Sequence, residues 1–334
     1  MNPFWITNKS RDGFFFKNNL KKNFKELNPQ IIHIHGLWRS PTRRYKLYLK
    51  EKLPFIISPH GMLDQWAINQ SKIKKQIYWS IIEKWSLSSC NCIHALCQSE
   101  FDSIKNIGLK NNVALIPNGV KILKKNQLKK LPNPPWTKFV PKDSKILLYL
   151  GRFHRKKGIK ELLYSWEKVL DKAKAHNWWL VIVGYGDDIN PKFIIENLHL
   201  ENCVVLGPVF EEKLKASTFI NSNAFILPSF SEGLPMSVLE AMSFKKTTLI
   251  SKACNLNEVF ENKAAIEIKT NEEDIANSLN NLFLSSHDEL EIIGDNAFKY
   301  VKENYSWEKV SLMTKLLYEW IAGHSEKPQF VSHT

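Results

Sequence analysis

Cysteine and long apolar runs are scarce in this sequence of 334 residues. It has five cysteines, an odd number with no CxxC pairing, which indicates reduced thiols in a cytosolic protein and excludes a disulfide scaffold or a paired-cysteine zinc site. No run approaches the roughly 20 apolar residues of a membrane-spanning helix, and residues 1–12 lack the apolar core of a signal peptide. Apolar residues still make up 43% of the chain, which excludes disorder and suffices for two hydrophobic cores.

Acidic residues are few in the first part of the chain. Residues 1–140 contain 24 Lys and Arg but only 7 Asp and Glu, whereas residues 141–334 contain 23 and 26. The formal net charge of +14 therefore comes entirely from the first part. Such a region is typical of proteins that meet nucleic acid, an anionic membrane surface or phosphate-bearing substrates. No helix-turn-helix, RRM or zinc pattern accompanies it, so we expect no nucleic-acid partner.

Short apolar runs alternate with longer segments of helical spacing from about residue 31 onward. In one such segment Ile159, Leu162, Leu163 and Trp166 recur at i, i+3, i+4 and i+7. This alternation predicts parallel sheets covered by helices, a doubly wound α/β architecture. Strands are predicted at 31–35, 55–58, 92–96, 113–116, 146–150, 179–183, 203–206, 224–227, 247–250 and 265–268.

The segment 131–143 is the strongest interruption of this pattern. Four of its 13 residues are proline, which disfavours both a helix and a central strand. We therefore predict a domain boundary here, with an N-terminal domain in 1–140, a C-terminal domain in 141–310 and a last helix in 311–334. In doubly wound sheets, ligands bind at the carboxyl ends of the strands.

The segment 151–158 reads GRFHRKKG and stands directly after a predicted strand and directly before a predicted helix. Such a turn presents fixed cations beside a helix N-terminus, and both favour a diphosphate. The alternative interpretation is a solvated basic loop, which the strand–Gly–helix context makes less typical.

The segment 231–242 follows another predicted strand and contains two glutamates, Glu232 and Glu240. Pro235 fits the first turn of a helix, where its missing N–H is not needed. The N–H groups near Gly233 and Leu234 would then point outward at the helix entrance and donate to a sugar or phosphate oxygen. In the alternative interpretation, Glu232 is an N-cap and Glu240 is a solvated helix residue.

Histidines stand beside glycines at two predicted strand ends, His35 before Gly36 and His60 before Gly61. Histidines there can face a cleft, although a lone histidine is more often structural. No Asp-x-Asp pair follows a strand, which argues against metal-dependent transfer of that type. We therefore expect no metal and no other cofactor.

GRFHRKKG followed by EGLPMSVLE resembles family 4 of the glycosyltransferases, whose GT-B fold has two Rossmann-like domains facing a cleft. The second segment is similar to that family's Glu-x7-Glu pattern. Further segments resemble bacterial members that build surface polysaccharides, and the resemblance covers about residues 31–330. These segments are HIHGLWRSP, ISPHGMLDQWA, LIPNGV, LGPVF and SWEKVSLMTKLLYEW.

The resemblance implies roles for particular residues. Arg152 and Lys157 would hold the donor diphosphate and stabilise the leaving nucleoside diphosphate, and Glu240 would bind the ribose hydroxyls. Glu232 would grip the transferred sugar, which His60 would face from the N-terminal domain. The remaining donor contacts would come mainly from backbone groups, at the sugar and its phosphate from Gly233, Leu234 and Pro235, and at the base from the loop of Gly207 and Val209.

The implied activity is retaining, metal-independent transfer of a sugar from a nucleoside-diphosphate donor to a glycan acceptor. The acceptor would be lipid-linked, in the biosynthesis of exopolysaccharide, O-antigen or lipopolysaccharide, and the C-terminal helix would return to the N-terminal domain. A nucleotide-sugar epimerase or a phosphorylase on the same fold is the alternative enzyme. Family members usually begin with a strand and a Gly-Gly loop, whereas residues 1–30 contain Gly13 alone. We therefore expect a shortened N-terminal domain, and an inactive remnant is a further alternative.

The segment 70–85 mixes cations with aromatic and aliphatic residues. Ile73, Ile77, Ile81 and Trp85 recur every four residues, and lysines stand near its start. One interpretation is a stripe that faces the core beside a solvated basic flank. The other is a helix on anionic lipid, with lysines among the headgroups. The second predicts a cytoplasmic protein peripherally bound at the inner face of the plasma membrane.

Overall fold

A computed structural model describes residues 22, 24–38, 41–64, 76–128 and 130–333. The chain forms two compact units, one of Met1–Pro117 with Ser311–Thr334 and the other of Asn118–Val310. Gly13, Ile73 and the lysines at the start of 70–85 lie outside the described residues.

Strands and helices alternate along the chain, as the apolar pattern predicts. The strands are β1 Ile32–His35, β2 Phe55–Ser58, β3 Cys92–Ala95, β4 Asn112–Leu115, β5 Lys145–Arg152, β6 Trp178–Tyr185, β7 Cys203–Leu206, β8 Ala224–Leu227, β9 Thr247–Ile250, β10 Ile266–Glu267 and β11 Val331–His333. The α-helices are α1 Tyr45–Lys50, α2 Lys84–Ser89, α3 Gln98–Asn106, α4 Ile159–Lys168, α5 Leu170–Ala175, α6 Pro191–Asn197, α7 Glu212–Ile220, α8 Met236–Ser243, α9 Glu258–Glu261, α10 Glu272–Leu284, α11 His287–Tyr305 and α12 Trp307–Ile321. A π-helical stretch, Trp79–Glu83, runs directly into α2.

The first unit is built on a five-stranded sheet of order β1-β2-β3-β4-β11. The first four strands are parallel, and β11 is antiparallel to β4. Phe55, Ile56 and Ile57 of β2 are all fully buried, because a parallel strand covered on both faces is apolar throughout rather than alternating. The C-terminal segment belongs to this unit, where the N–H of Leu115 also donates to the carbonyl of Phe330 at 3.0 Å.

The second unit contains a six-stranded parallel sheet of order β10-β9-β8-β5-β6-β7. Helix α4 packs on it through Ile159, Leu162, Leu163 and Trp166, all fully buried, so the periodicity of this segment is confirmed. Helix α11 begins with a capping box in which the Ser286 hydroxyl accepts from the N–H of Glu289.

The proline-rich segment 131–143 lies inside the second unit. Trp136 and Val140 are buried in the core of that unit, and the Ser217 hydroxyl donates to the carbonyl of Pro132 at 2.6 Å. The two units therefore divide the sequence between Pro117 and Asn118 and again between Val310 and Ser311. The prolines prevent regular structure but not packing, because apolar side chains between them reach the core.

Candidate functional site

The two motifs of the sequence come together at one edge of the second sheet. The basic segment 151–158 overlaps the end of β5, and the segment 231–242 follows β8. Strands β5 and β8 are parallel neighbours, so their carboxyl ends lie at the same edge, where ligands of such sheets bind.

The loops after these strands are in direct contact. The N–H of Phe230 donates to the carbonyl of Lys156 at 2.7 Å. Gly158 has a φ of 69°, and a Cβ added there would lie 2.1 Å from the carbonyl oxygen of Pro228. Only glycine therefore allows the basic turn to approach the second loop this closely before α4 begins.

Lys157 and Glu232 form an ion pair across the two loops. The Nζ of Lys157 lies 2.5 Å from Oε1 of Glu232, and the side chains are only 12% and 7% exposed. The hydroxyl of Ser229 donates to the same oxygen at 2.6 Å, and the amide of Asn255 donates to the backbone carbonyl of Glu232. Glu232 is thus a buried partner of Lys157, and the N-cap interpretation does not apply.

Helix α8 begins at Met236, so Pro235 is its N-cap residue rather than a residue of its first turn. The carbonyl of Pro235 accepts from the N–H groups of Val238 and Leu239. Gly233 faces open space, because a Cβ added there would meet no atom within 4 Å. Leu234, in contrast, packs against the core. The helix entrance is therefore open at Gly233.

Glu240 is also paired rather than solvated. Its Oε1 lies 2.6 Å from Nζ of Lys215, with side-chain exposures of 23% for Glu240 and 32% for Lys215. Lys215 belongs to α7 and has no place in either motif. Sequence reasoning missed it because nothing in the local sequence shows that α7 and α8 bring these residues together.

Arg152 is the last residue of β5 and is exposed. Within the described part of the chain, no carboxylate lies within ion-pair distance of its guanidinium. Its carbonyl accepts from the hydroxyl of buried Tyr149 at 3.0 Å, and burial holds the pKa of Tyr149 well above its ordinary value. Arg155, by contrast, is engaged, because Asp188 accepts from its backbone N–H and its guanidinium. Arg152 is therefore an exposed cation of the turn, and its guanidinium is not neutralised by a carboxylate within the described residues.

Gly207 and Val209 lie in the loop after β7. Gly207 is exposed and open, whereas Val209 packs against the core. The next residue, Phe210, is exposed and contacts Tyr185 at a ring distance of 5.9 Å. Tyr185 stands opposite Arg152 in the register of β5 and β6. The sequence does not indicate this aromatic pair, since neither residue belongs to a motif.

His60 follows β2 in the first unit, whereas the other predicted site residues belong to the second unit. Its φ is 54°, and its Nε2 lies 2.8 Å from Nδ1 of His35. Burial lowers the pKa of His60 below 6.5, and the neighbouring His35 adds to that effect. The turn is supported by Glu100, a buried residue of α3 that accepts from the N–H groups of Gly61 and Leu96 at 2.6 and 2.8 Å.

A chain of hydrogen bonds in the same unit links polar side chains of β1, β2, β3 and α12. The Nε2 of His94 donates to the carbonyl of Ile116 at 2.7 Å, so its Nδ1 accepts from the hydroxyl of Ser58 at 2.8 Å. The Ser58 oxygen accepts from Nε2 of His33 at 2.7 Å, and Nδ1 of His33 accepts from the hydroxyl of Tyr318 at 2.7 Å. Burial lowers the pKa of His33 and of His94 and so favours neutral imidazoles, and with both rings neutral the carbonyl at one end fixes the direction of every bond.

The site in the second unit combines an exposed guanidinium, a lysine shared with a buried carboxylate, and an open helix entrance. This arrangement suits a phosphorylated ligand. Within the described residues, no group of three or more His, Cys, Asp or Glu is arranged to hold a metal ion. None of the helices in that part of the chain combines the length and apolar character needed to cross a membrane.

Two family models match the chain. Residues 1–122 match the model described as Glycosyltransferase Family 4, and residues 135–300 match the one described as Glycosyl transferases group 1. Among solved structures, a sucrose-phosphate synthase from Thermosynechococcus elongatus aligns with a TM-score of 0.73 at 18% identity, covering 93% of this chain and 78% of that one. At this identity the alignment shows a shared fold.

Several curated relatives match most of this chain. A Campylobacter jejuni protein named N,N'-diacetylbacillosaminyl-diphospho-undecaprenol alpha-1,3-N-acetylgalactosaminyltransferase is 30% identical over 262 residues, 75% of this chain and 64% of that protein. A Bacillus subtilis protein, provisionally named teichuronic acid biosynthesis glycosyltransferase TuaC, is 22% identical over 253 residues, 73% of this chain and 59% of that protein. The chain thus spans less than two thirds of these two relatives, and only 35% and 41% of two others.

Proposed function

The chain belongs to the family 4 glycosyltransferases and has their GT-B fold, and we propose that it transfers a sugar from a nucleoside-diphosphate donor to a glycan acceptor. The observation that carries this proposal is the joining of the basic turn and the entrance of α8 by the Lys157–Glu232 pair. The predicted diphosphate and sugar contacts thereby become neighbours at one ligand-binding edge.

Charge explains how this site would promote the reaction. Cleavage of the sugar–phosphate bond places negative charge on the departing nucleoside diphosphate, and preorganised cations lower the barrier to that step. Arg152 is exposed for this role, and Lys157 is held in place by Glu232. The ion pair with Glu232 orients Lys157 before the donor binds, and an arriving diphosphate would then contact the same ammonium group. We propose that these groups act without a metal ion and that the anomeric configuration is retained, as the family resemblance implies.

The acceptor proposal draws on the relatives. The name of one includes a diphospho-undecaprenol acceptor, and the name of the other includes teichuronic acid biosynthesis. We propose a lipid-linked glycan acceptor in surface polysaccharide biosynthesis for this chain as well. The basic residues of the first unit suit a diphosphate linkage at a membrane surface.

The first unit also has an exposed apolar stripe that supports peripheral membrane binding. Ile77, Ile81 and Trp85 are 54%, 64% and 59% exposed. On the other side of the same helical segment, Glu83 is buried and accepts from the N–H of Trp38 at 2.7 Å. The interpretation of these residues as a core-facing stripe is therefore wrong, because the core side of the segment is occupied by others. We propose that the stripe enters the interface of an anionic membrane.

Calorimetry with UDP, GDP and ADP tests the donor site. We expect one of them to bind the wild-type protein and Arg152→Ala to weaken its binding at least about tenfold, since a charge-assisted hydrogen bond is lost. Lys174→Ala is the control, because it removes one positive charge from an exposed surface pair with Glu201. Equal affinity of all three proteins would contradict the diphosphate assignment. A screen of nucleotide sugars against membrane extracts then tests transfer and identifies the donor.

Flotation with liposomes tests the membrane proposal. Ile81→Ser combined with Trp85→Ser should reduce binding to vesicles that contain anionic lipid. Ile292→Ser in the second unit is a matched control, because Ile292 is 62% exposed and Ile81 is 64% exposed. Binding that is indifferent to lipid charge, or equally affected by the control, would overturn the proposal.

A further inference from the structure

Lys215 lies outside both motifs, yet it forms an ion pair with Glu240 of the second one. Its helix, α7, also carries Glu212, which lies one turn away, but Glu212 pairs with Lys121 at 2.5 Å. Lys215 instead crosses to α8 and holds Oε1 of Glu240 at 2.6 Å. We infer that Lys215 is a positioning residue that orients the Glu240 carboxylate for the ribose of the donor. This inference rests on the proposed function of the site and on the ribose contact that the family resemblance implies for Glu240.

The entropy of the Glu240 side chain explains why it benefits from a partner such as Lys215. A glutamate side chain on a helix has several rotatable bonds, and binding a ribose through it costs the entropy of ordering them. The ion pair with Lys215 orders the side chain before the donor arrives. Oε2 and the remaining lone pairs of Oε1 can then accept from two ribose hydroxyls, since a carboxylate offers about four acceptor sites.

Charge gives Lys215 a second effect. The donor brings a diphosphate, and an uncompensated Glu240 carboxylate in the same site would repel it. Both side chains are partly buried, with exposures of 23% and 32%, so this repulsion is screened less than at an open surface. Lys215 offsets the charge of Glu240 without removing its acceptor oxygens.

The ratio of affinities for a ribonucleotide and its 2′-deoxy counterpart reports on the ribose contact alone. We would measure it by calorimetry with whichever of UDP, GDP and ADP binds best. The wild-type ratio should be about tenfold or more, because a hydrogen bond to a charged group is lost in the deoxy compound. Glu240→Ala should bring the ratio close to one, and Lys215→Met should lower it at least about threefold.

Matched variants separate positioning from general effects. Lys215→Arg keeps a cation within reach of Glu240 and should retain most of the ratio. Lys213→Met removes an exposed lysine from the same helix and should leave it unchanged. In Glu240→Ala, adding Lys215→Met should not change the ratio further, because the oriented group is already gone.

The outcomes distinguish this inference from the function on which it rests. A wild-type protein that binds none of the three nucleotides contradicts the proposed function itself. A wild-type protein that discriminates against the deoxy compound, together with a Lys215→Met variant that discriminates equally well, overturns the role of Lys215 alone. A Lys215→Met variant that lowers both affinities by the same factor also overturns it, because only a charge effect would then remain.

Discussion

Replacing Lys157 by methionine tests whether the Lys157–Glu232 ion pair serves both donor binding and the stability of the fold. The substitution removes the cation that faces Glu232 but keeps an apolar stem of similar length. Glu232 then stays behind as a carboxylate that is only 7% exposed, with the hydroxyl of Ser229 still donating to it. The structure therefore predicts a loss of stability as well as a loss of donor binding.

The burial of the pair sets the magnitude. Breaking a buried ion pair by removing one partner destabilises a protein by about 3–5 kcal/mol. We expect the lower end, about 3 kcal/mol, because the Ser229 hydroxyl remains in place. For a unit the size of Asn118–Val310, each kcal/mol shifts the melting temperature by about 2–4 °C. The second unit of the Lys157→Met variant should accordingly melt about 6–12 °C below that of the wild type.

Calorimetric unfolding measures this shift, and two further variants interpret it. Lys174→Met breaks a pair of similar length, 2.6 Å, between side chains that are 41% and 74% exposed, so it should cost less than about 1 kcal/mol. Lys157→Met combined with Glu232→Gln removes both charges and should recover most of the stability, while nucleotide binding stays weak. A Lys157→Met variant as stable as Lys174→Met would refute the argument.

Three further predictions concern the fold. Gly158→Ala should destabilise the second unit by at least about 2 kcal/mol in urea unfolding, because the strained φ is joined by a contact with the carbonyl of Pro228 at 2.1 Å. Glu100→Gln should cost the first unit about 1–3 kcal/mol in the same assay, since one backbone N–H, at Gly61 or at Leu96, loses its acceptor. Burial lowers the pKa of His94 from 6.5 to about 4, so between these two pH values the unfolded chain binds a proton at His94 and the native chain does not. Stability should therefore fall as pH drops from about 6.5 to about 4, by up to about 3 kcal/mol, and His94→Gln should reduce this fall in acid titrations.

The apolar pattern predicts the sheets well because a covered parallel strand needs a continuous apolar run. All ten predicted strands overlap strands of the structure. The sequence gives no sign of β11, Val331–His333, because its three residues include only one apolar side chain and its place depends on pairing with β4. Local periodicity carries no information about an edge strand added from the far end of the chain.

The candidate site shows the same division between local and tertiary information. The glycine and the cations of the basic turn can be found in sequence because strand, turn and helix follow one another directly. The partners of the two glutamates cannot, since Lys157 lies 75 residues from Glu232 and Lys215 lies 25 residues from Glu240. Residue type alone therefore allows a solvated Glu240 and an N-cap Glu232, and only the packing of α7, α8 and the basic turn excludes them.

The difference in net charge between the two structural units is smaller than the difference between residues 1–140 and 141–334, yet the first unit still has a large excess of basic residues. The six lysines between residues 121 and 138 belong to the second unit, which has 27 basic and 24 acidic residues, whereas the first unit has 20 and 9. The excess of the first unit thus persists without the proline-rich segment and its neighbours.

Attraction of such basic residues to anionic lipid acts within a Debye length of about 10 Å and weakens with salt. Burial of the stripe formed by Ile77, Ile81 and Trp85 does not weaken in this way. The two contributions to membrane binding are therefore separable, because added salt suppresses the first and leaves the second.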